Sequence, residues 1–187
     1  MAATNRPGPR ERLLAAAQQL SYAHGANVGV DALLKEADVA RRSLYEHFGG
    51  KDGLLAEVLR QSAAQDIEHA RAVLDAAGRS PRRRLLALFD DLDHVIGQPG
   101  FRGCRYLAAD IALAERDHPA HAVAVDYRSQ LHELLRAELV RLGHPHPMRA
   151  ADELHLLIEG ALATGATRAD ARPGRTARAL AVGILKM

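Results

Sequence analysis

A chain of 187 residues is long enough to bury a hydrophobic core in one compact domain or in two small ones. Hydrophobic residues make up 48% of the chain but aromatic residues only 4%, so alanine and leucine must supply most of the packing. Because these residues favour helix, as do glutamate and arginine, we expect an all-α protein. The net charge of +2 excludes a strongly basic chain, so any nucleic-acid interface must depend on where individual charges point.

Cysteine content and hydropathy predict a cytoplasmic protein. Cys104 is the only cysteine, so no disulfide can form within the chain. No stretch approaches the roughly 18 consecutive apolar residues of a membrane helix, and the first residues lack the apolar segment of a signal peptide. We therefore expect no membrane association.

Apolar positions at helical spacing predict about nine helices. Gly25 and Gly78 are typical of residues that end a helix. Pro81 and Pro119 suit the first turn of a helix. Asp31 is expected to cap the second helix. The predicted helices cover about residues 10–24, 31–37, 40–47, 51–77, 81–96, 104–114, 119–142 and 148–167, with a ninth after Arg172-Pro173-Gly174.

Residues 31–51, DALLKEADVARRSLYEHFGGK, are the most informative stretch of the chain. They predict two short helices around a tight turn at residues 38–39. This is the arrangement with which a helix-turn-helix enters the DNA major groove. At 100° per residue, Leu44 and Phe48 lie about 40° apart and can be buried together, which leaves the other face of the third helix exposed.

The remaining side chains of the third helix suit DNA. Outward residues such as Arg42 can reach base edges, and two hydrogen bonds to guanine are worth about 1–3 kcal/mol of discrimination. Flanking residues such as Tyr45 can reach phosphates, and Lys51 begins a helix whose free amides suit an anion. The alternative is an ordinary solvated polar face. We predict as DNA-binding residues Arg41, Arg42, Ser43, Tyr45, His47 and Lys51.

Residues 10–59 resemble the DNA-binding domain of the tetracycline-repressor (TetR/AcrR) family of bacterial transcription regulators. The specific part is SLYEHFGGKDGLL (43–55), with Leu-Tyr-x-His-Phe and then lysine and an acid at the family spacing. The resemblance implies that Tyr45, His47 and Lys51 hold phosphates and that the third helix enters the major groove. It also implies that a homodimer binds a roughly palindromic, double-stranded operator.

The chain departs from the family pattern at the turn. Members often have glycine, valine and serine where this chain has Asp38, Val39 and Ala40. The missing hydroxyl removes a helix cap worth about 0.5–2 kcal/mol, unless Asp38 compensates. Arg42 replaces a frequent glycine, so the operator sequence of relatives does not transfer to this chain.

Residues 100–112, GFRGCRYLAADIA, and 117–123, DHPAHAV, resemble a C-terminal regulatory domain found in one branch of the family. That resemblance implies an effector site among the fifth to eighth helices, and scarce inward charge predicts a small, mostly apolar molecule. The alternative is that the same residues are ordinary core. The predicted effector-binding residues are Leu88, Leu92, Tyr106, Tyr127, Leu131 and Leu157.

Small residues on the eighth helix allow another helix to approach closely. With the ninth helix it could form a two-fold, four-helix dimer interface. The alternative is that both helices cover the core of their own chain. The predicted interface residues are Leu154, Ile158, Ala161, Leu162, Gly165, Leu180 and Ile184.

These expectations give two domains. Residues 1–55 form a helix-turn-helix domain of three helices, residues 56–187 form a helical regulatory and dimerisation domain, and the helix over 51–77 links the two. The predicted function is a dimeric DNA-binding regulator, a repressor released by its effector. An activator, or a regulator without a small ligand, stays open from the sequence.

No metal, cofactor or catalytic residue is expected. His118 and His121 share one helical face, but no acidic or cysteine ligand completes a recognisable set. Cys104 could be a redox switch, but a lone cysteine is usually a packing residue. Because no phosphate-binding glycine loop or nucleophile elbow occurs, we do not favour the alternative of a helical ligand-binding protein or enzyme with a vestigial helix-turn-helix.

Overall fold

The computed structural model describes residues 7–24, 28–113 and 115–186. Over those residues the chain forms α-helices and no strand, which confirms the predicted all-α class. None of the described helices is long and apolar enough to cross a lipid bilayer. The helices are α1 (Pro9–His24), α2 (Val30–Ala37), α3 (Arg41–Phe48), α4 (Lys51–Ala76), α5 (Pro81–Ile96), α6 (Arg105–Leu113), α7 (Pro119–Leu142), α8 (Pro147–Thr167) and α9 (Pro173–Ile184), with a 3-10 turn at Ala169–Ala171.

Prolines and glycines set most helix ends within one or two residues of the predicted positions. Pro81 and Pro119 are the first residues of α5 and α7, where a missing N–H leaves no hydrogen bond unmade. Gly49 and Gly78 have φ angles of 71° and 86°, a conformation that stops a helix and favours glycine. The predicted stop at Gly25 lies outside the described residues.

One predicted helix cap differs in the structure. Gly29 is the N-cap of α2, so the prediction of a cap at Asp31 is wrong. The Asp31 carboxylate lies in the first turn instead, 2.6 Å from Arg41 Nη2. At α3 the N-cap is Ala40, as expected, and no side chain caps this helix. Asp38 does not compensate, because it ends α2 in the left-handed conformation with φ 51°.

Internal contacts divide the chain into two compact units. The first unit comprises the chain up to Ala63 together with Arg105–Val125, and the second comprises Ala64–Cys104 and the chain from Asp126 onwards. Helices α4 and α7 therefore contribute residues to both units. The functional boundary after residue 55 stays a prediction. By its contacts, α6 belongs to the first unit, together with the N-terminal helices.

Apolar side chains from four helices form the core of the first unit. Leu13 of α1, Leu33 of α2, Leu44 of α3 and Leu54 of α4 are fully buried in one cluster. Burial of a leucine side chain contributes roughly 1.5–3 kcal/mol. The cluster therefore determines which face of each short helix is left for solvent.

The second unit has a larger core between α5, α7, α8 and α9, with Phe89 and Leu154 among its fully buried side chains. A buried ion pair lies beside this core: Arg84 Nε is 3.0 Å from Glu138 Oε2, and their side chains are 11% and 6% exposed. Separating these two side chains would leave an uncompensated buried charge, so the ion pair opposes any movement of α5 away from α7.

Candidate nucleic-acid interface

Helix α3 has one buried face and one exposed face. Leu44 is fully buried in the core of the first unit. Phe48 is partly buried and packs against the same core, as predicted. On the opposite side the Arg42 side chain is 86% exposed and Tyr45 is 56% exposed. The core of the first unit thus leaves the polar face of α3 accessible to a large partner.

Surface ion pairs hold both arginines of α3. Arg41 Nη2 lies 2.6 Å from Asp31 Oδ1, and Arg42 Nε lies 2.5 Å from Glu46 Oε1 one turn further on. Pairs this exposed contribute about 0–1 kcal/mol. A phosphate or a base edge can therefore replace either carboxylate with little loss of stability.

Phe48, the last residue of α3, is contacted by two polar side chains. The His47 ring meets it edge-on with ring centroids 6.2 Å apart, and the Arg10 guanidinium lies 5.6 Å from its centroid. Arg10 is also 3.2 Å from Glu57 Oε1 of α4. Because a cation is attracted to the face of an aromatic ring, Phe48 ties the beginning of α1 to the end of α3.

Arg12 of α1 secures the turn between α2 and α3. Its Nη1 donates to the carbonyl oxygens of Ala37 at 3.1 Å and Asp38 at 2.6 Å. The last carbonyls of a helix have no partner within that helix, so the guanidinium satisfies groups that would otherwise need water. The sequence does not predict this role, because a single arginine on an amphipathic helix does not indicate its distant partners.

Gly53 permits a close approach between the end of α3 and the beginning of α4. A β-carbon at this position would lie 2.0 Å from the carbonyl oxygen of Phe48, far inside van der Waals contact. Only a glycine therefore lets the first turn of α4 lie so near the end of α3. In the sequence GGKDG this glycine cannot be distinguished from the other two. Gly49 has a different role, because its positive φ ends α3.

The predicted effector residues are divided between the two compact units. Tyr106 is buried in the first unit, whereas the other five belong to the second. Within the second unit the core contains buried Leu88, Leu92 and Leu131, with partly buried Tyr127 and Leu157. Their role in binding stays a prediction.

The predicted dimer residues fall into two groups that differ in exposure. The structure buries Leu154, Ile158, Ala161 and Gly165 in the core of their own unit. A β-carbon at Gly165 would lie 2.6 Å from Ile96 Cγ2, so this glycine serves packing within the chain. These four residues contribute to the core of their own unit, and their part in a dimer interface stays a prediction.

The second group remains accessible. Leu180 is 55% exposed, and Leu162 and Ile184 are partly buried. Leu156, which the sequence reasoning did not select, is 70% exposed on α8. Between α8 and α9 lies an apolar groove of about 360 Å³, whose lining includes Leu156, Leu157, Gly160, Thr164, Thr176 and Leu180.

The fold and the exposed face of α3 define a helix-turn-helix DNA-binding protein, and comparisons with known proteins agree. Residues 13–58 match the family described as bacterial regulatory proteins, tetR family. A protein from Streptomyces avermitilis assigned as a TetR transcriptional regulator is 37% identical, with 94% of this chain and 99% of that one covered at a TM-score of 0.78.

Two further relatives extend this agreement. A TetR-family regulator from Streptomyces coelicolor is 30% identical over 95% of this chain and 94% of that one, with a TM-score of 0.83. The HTH-type transcriptional regulator YjdC of Escherichia coli K12 is 25% identical over 95% of this chain and 93% of its own length. The chain belongs to the TetR family of DNA-binding transcriptional regulators, which confirms the resemblance found in the sequence.

Replacement of Gly53 with alanine tests the close approach of α3 and α4. Because the facing atom belongs to the main chain, the clash can be relieved only by backbone movement, which we expect to lower the free energy of unfolding in urea by about 1–3 kcal/mol. The matched control is Gly183→Ala on α9, where a β-carbon meets nothing within 4 Å. Equal effects of the two substitutions on stability would contradict the role of Gly53.

Proposed function

We propose that the protein is a dimeric repressor that binds a palindromic operator through α3 and is released from it by a small, mostly apolar effector. The observation that carries the proposal is the exposed Arg42 and Tyr45 on a helix anchored from behind by buried Leu44. In a helix-turn-helix regulator this is the face that meets DNA.

We assign the side chains of this face to two kinds of contact. Arg42 and Ser43 lie on the part of α3 that would face base edges, where Arg42 can bind guanine through two hydrogen bonds. The groups assigned to backbone phosphates are Arg41, Tyr45, His47 and Lys51. Lys51 is the first residue of α4, so its charge adds to backbone amides that attract an anion.

The partner in the proposed dimer is a second copy of this chain. Exposed Leu156 and Leu180 border the groove between α8 and α9, and both would lose their water on pairing. Gly160 has nothing within 4 Å of its β-position, which leaves room for a side chain of the other copy. A two-fold interface presents the same patch twice, and two copies of α3 can then meet DNA one helical turn apart, about 34–36 Å.

The proposed effector site lies in the second unit. Leu88, Leu92 and Leu131 offer apolar surface and Tyr127 offers a hydroxyl at the edge of the same cluster, a combination typical of sites for small apolar ligands. Binding there would lower DNA affinity through a coupling free energy that acts equally in both directions. The relatives named above are transcriptional regulators, which favours this function over that of an enzyme.

DNA selected from a random pool provides the test of the α3 assignment. Tyr45→Phe removes only the hydroxyl and is expected to weaken DNA binding by about tenfold, because one charge-assisted hydrogen bond is lost.

Arg42→Ala is expected to lose about 1–3 kcal/mol of binding free energy and to relax the preference at one base pair. Lys51→Ala should weaken all sequences alike and reduce the dependence of log Kd on log salt by about one unit.

The control for net charge is Arg83→Ala, an exposed arginine of α5 in the second unit. It removes the same charge as Arg42→Ala but should leave DNA affinity nearly unchanged. If Arg42→Ala and Tyr45→Phe bind selected DNA as tightly as the unchanged protein, the assignment of α3 is wrong.

Sedimentation of a charged variant tests the proposed dimer. Leu156→Glu places a carboxylate at the edge of the groove and should shift the protein from dimer to monomer at micromolar concentration, because burying an unpaired charge is strongly unfavourable. Ile111→Glu is the matched control, since Ile111 of α6 is also 70% exposed. A dimer that tolerates Leu156→Glu but dissociates with Ile111→Glu would place the interface elsewhere.

A further inference from the structure

His118, in the connection between α6 and α7, is a buried polar side chain with no part in the assignments above. The residue is 8% exposed and directly precedes Pro119, the first residue of α7. Its Nδ1 accepts the backbone N–H of Ala120 at 3.1 Å, as a capping side chain does at a helix N-terminus. Because Nδ1 accepts, the neutral ring carries its proton on Nε2.

The Nε2 atom of His118 has one acidic oxygen close by. It is buried and forms no hydrogen bond among the described residues, yet it lies 3.4 Å from Asp52 Oδ1. A buried donor without a well-formed hydrogen bond destabilises a fold. The capping of α7 therefore accounts for the position of Nδ1, but it does not account for the burial of Nε2 beside Asp52.

Asp52 lies where a negative charge matters for DNA binding. It is the second residue of α4, next to Lys51, and its side chain is 66% exposed. A carboxylate in the first turn of a helix is attracted to the free backbone amides of that turn. Those amides are the groups that a phosphate uses at a helix N-terminus. A freely moving Asp52 would compete with a DNA phosphate and repel it.

We propose that His118 is a positioning residue for DNA binding, which holds the Asp52 carboxylate at the α6–α7 connection and away from the phosphate at Lys51. This inference rests on the proposed DNA contact of α4. It also gives that contact a means of regulation. Any displacement of the α6–α7 connection that separates His118 from Asp52 returns a negative charge to the phosphate site and lowers DNA affinity.

Other contacts hold α6 in place independently of His118. Arg105 Nη1 donates to Ser62 Oγ at 3.1 Å, and its guanidinium lies 5.1 Å from the centre of the Tyr22 ring. Further along, His121 Nδ1 lies 2.6 Å from Asp110 Oδ1. A substitution at His118 that keeps the cap of α7 is therefore expected to act locally.

Two amide side chains separate the two roles of the ring. Asparagine can accept the Ala120 N–H in place of Nδ1 but has no group at the position of Nε2, whereas the longer glutamine can place an N–H there. The test measures the Kd of the full chain for DNA selected with the unchanged protein. The variants are His118→Asn, His118→Gln, Asp52→Asn and the double variant His118→Asn/Asp52→Asn.

His118→Asn is expected to weaken binding about 5- to 10-fold at low salt, with an unchanged melting temperature, because one negative charge returns to the phosphate site. The loss should shrink as salt screens that charge. His118→Gln should restore the Kd to within about twofold, as one regained contact predicts. In the Asp52→Asn background, His118→Asn should have no effect.

Each contrary outcome has a definite meaning. An unchanged protein that selects no DNA overturns the proposed function itself. If that protein binds DNA but His118→Asn has no effect, or the same effect with Asn at position 52, the positioning role is overturned. Asp52→Asn alone keeps the test decisive should His118→Asn fail to fold: it is expected to bind at least as tightly as the unchanged protein, and weaker binding overturns the inference.

Discussion

The carbonyl oxygen of Phe48 and the backbone of Gly53 approach so closely that only a hydrogen atom fits at that α-carbon. This contact fixes how α4 leaves the end of α3, while Leu44 fixes α3 from behind through its burial in the core of the first unit. The exposed polar face of α3 and the position of Lys51 at the beginning of α4 both follow from these two constraints. A rigid support of this kind is what a site needs in order to meet a duplex without rearrangement.

Polar contacts from distant parts of the chain complete this support. Arg12 of α1 satisfies the last carbonyls of α2 and so holds the turn before α3. Arg105 at the beginning of α6 contacts Ser62 of α4. His118, just before α7, lies beside Asp52 in the first turn of α4. The segment 105–125 therefore belongs to the same compact unit as α1, α2 and α3, although it follows that part of the chain by about forty residues. If α3 and the beginning of α4 bind DNA as proposed, a structural change in this segment would reach the DNA site through these contacts.

The sequence predicted the features that depend on local spacing. Helical periodicity placed Leu44 inside and Arg42 outside, and prolines and glycines marked most helix ends, because each depends on residues within one or two turns. Periodicity shows that a face is apolar but not which element covers it. It does not indicate that Leu154 lies in the core of its own unit or that Gly165 lies against Ile96 of α5. Arg12, Gly53 and His118 contact backbone or side chains far along the chain or across a turn, and no residue pattern indicates these contacts.

The structure of the full chain bound to DNA selected from a random pool tests the central claim most directly. The account predicts α3 of two copies in successive major grooves about 34–36 Å apart, with Arg42 within hydrogen-bond distance of a base edge and Lys51 beside a phosphate. DNA bound to any other surface, with the Arg42 and Tyr45 face of α3 left in solvent, would contradict it.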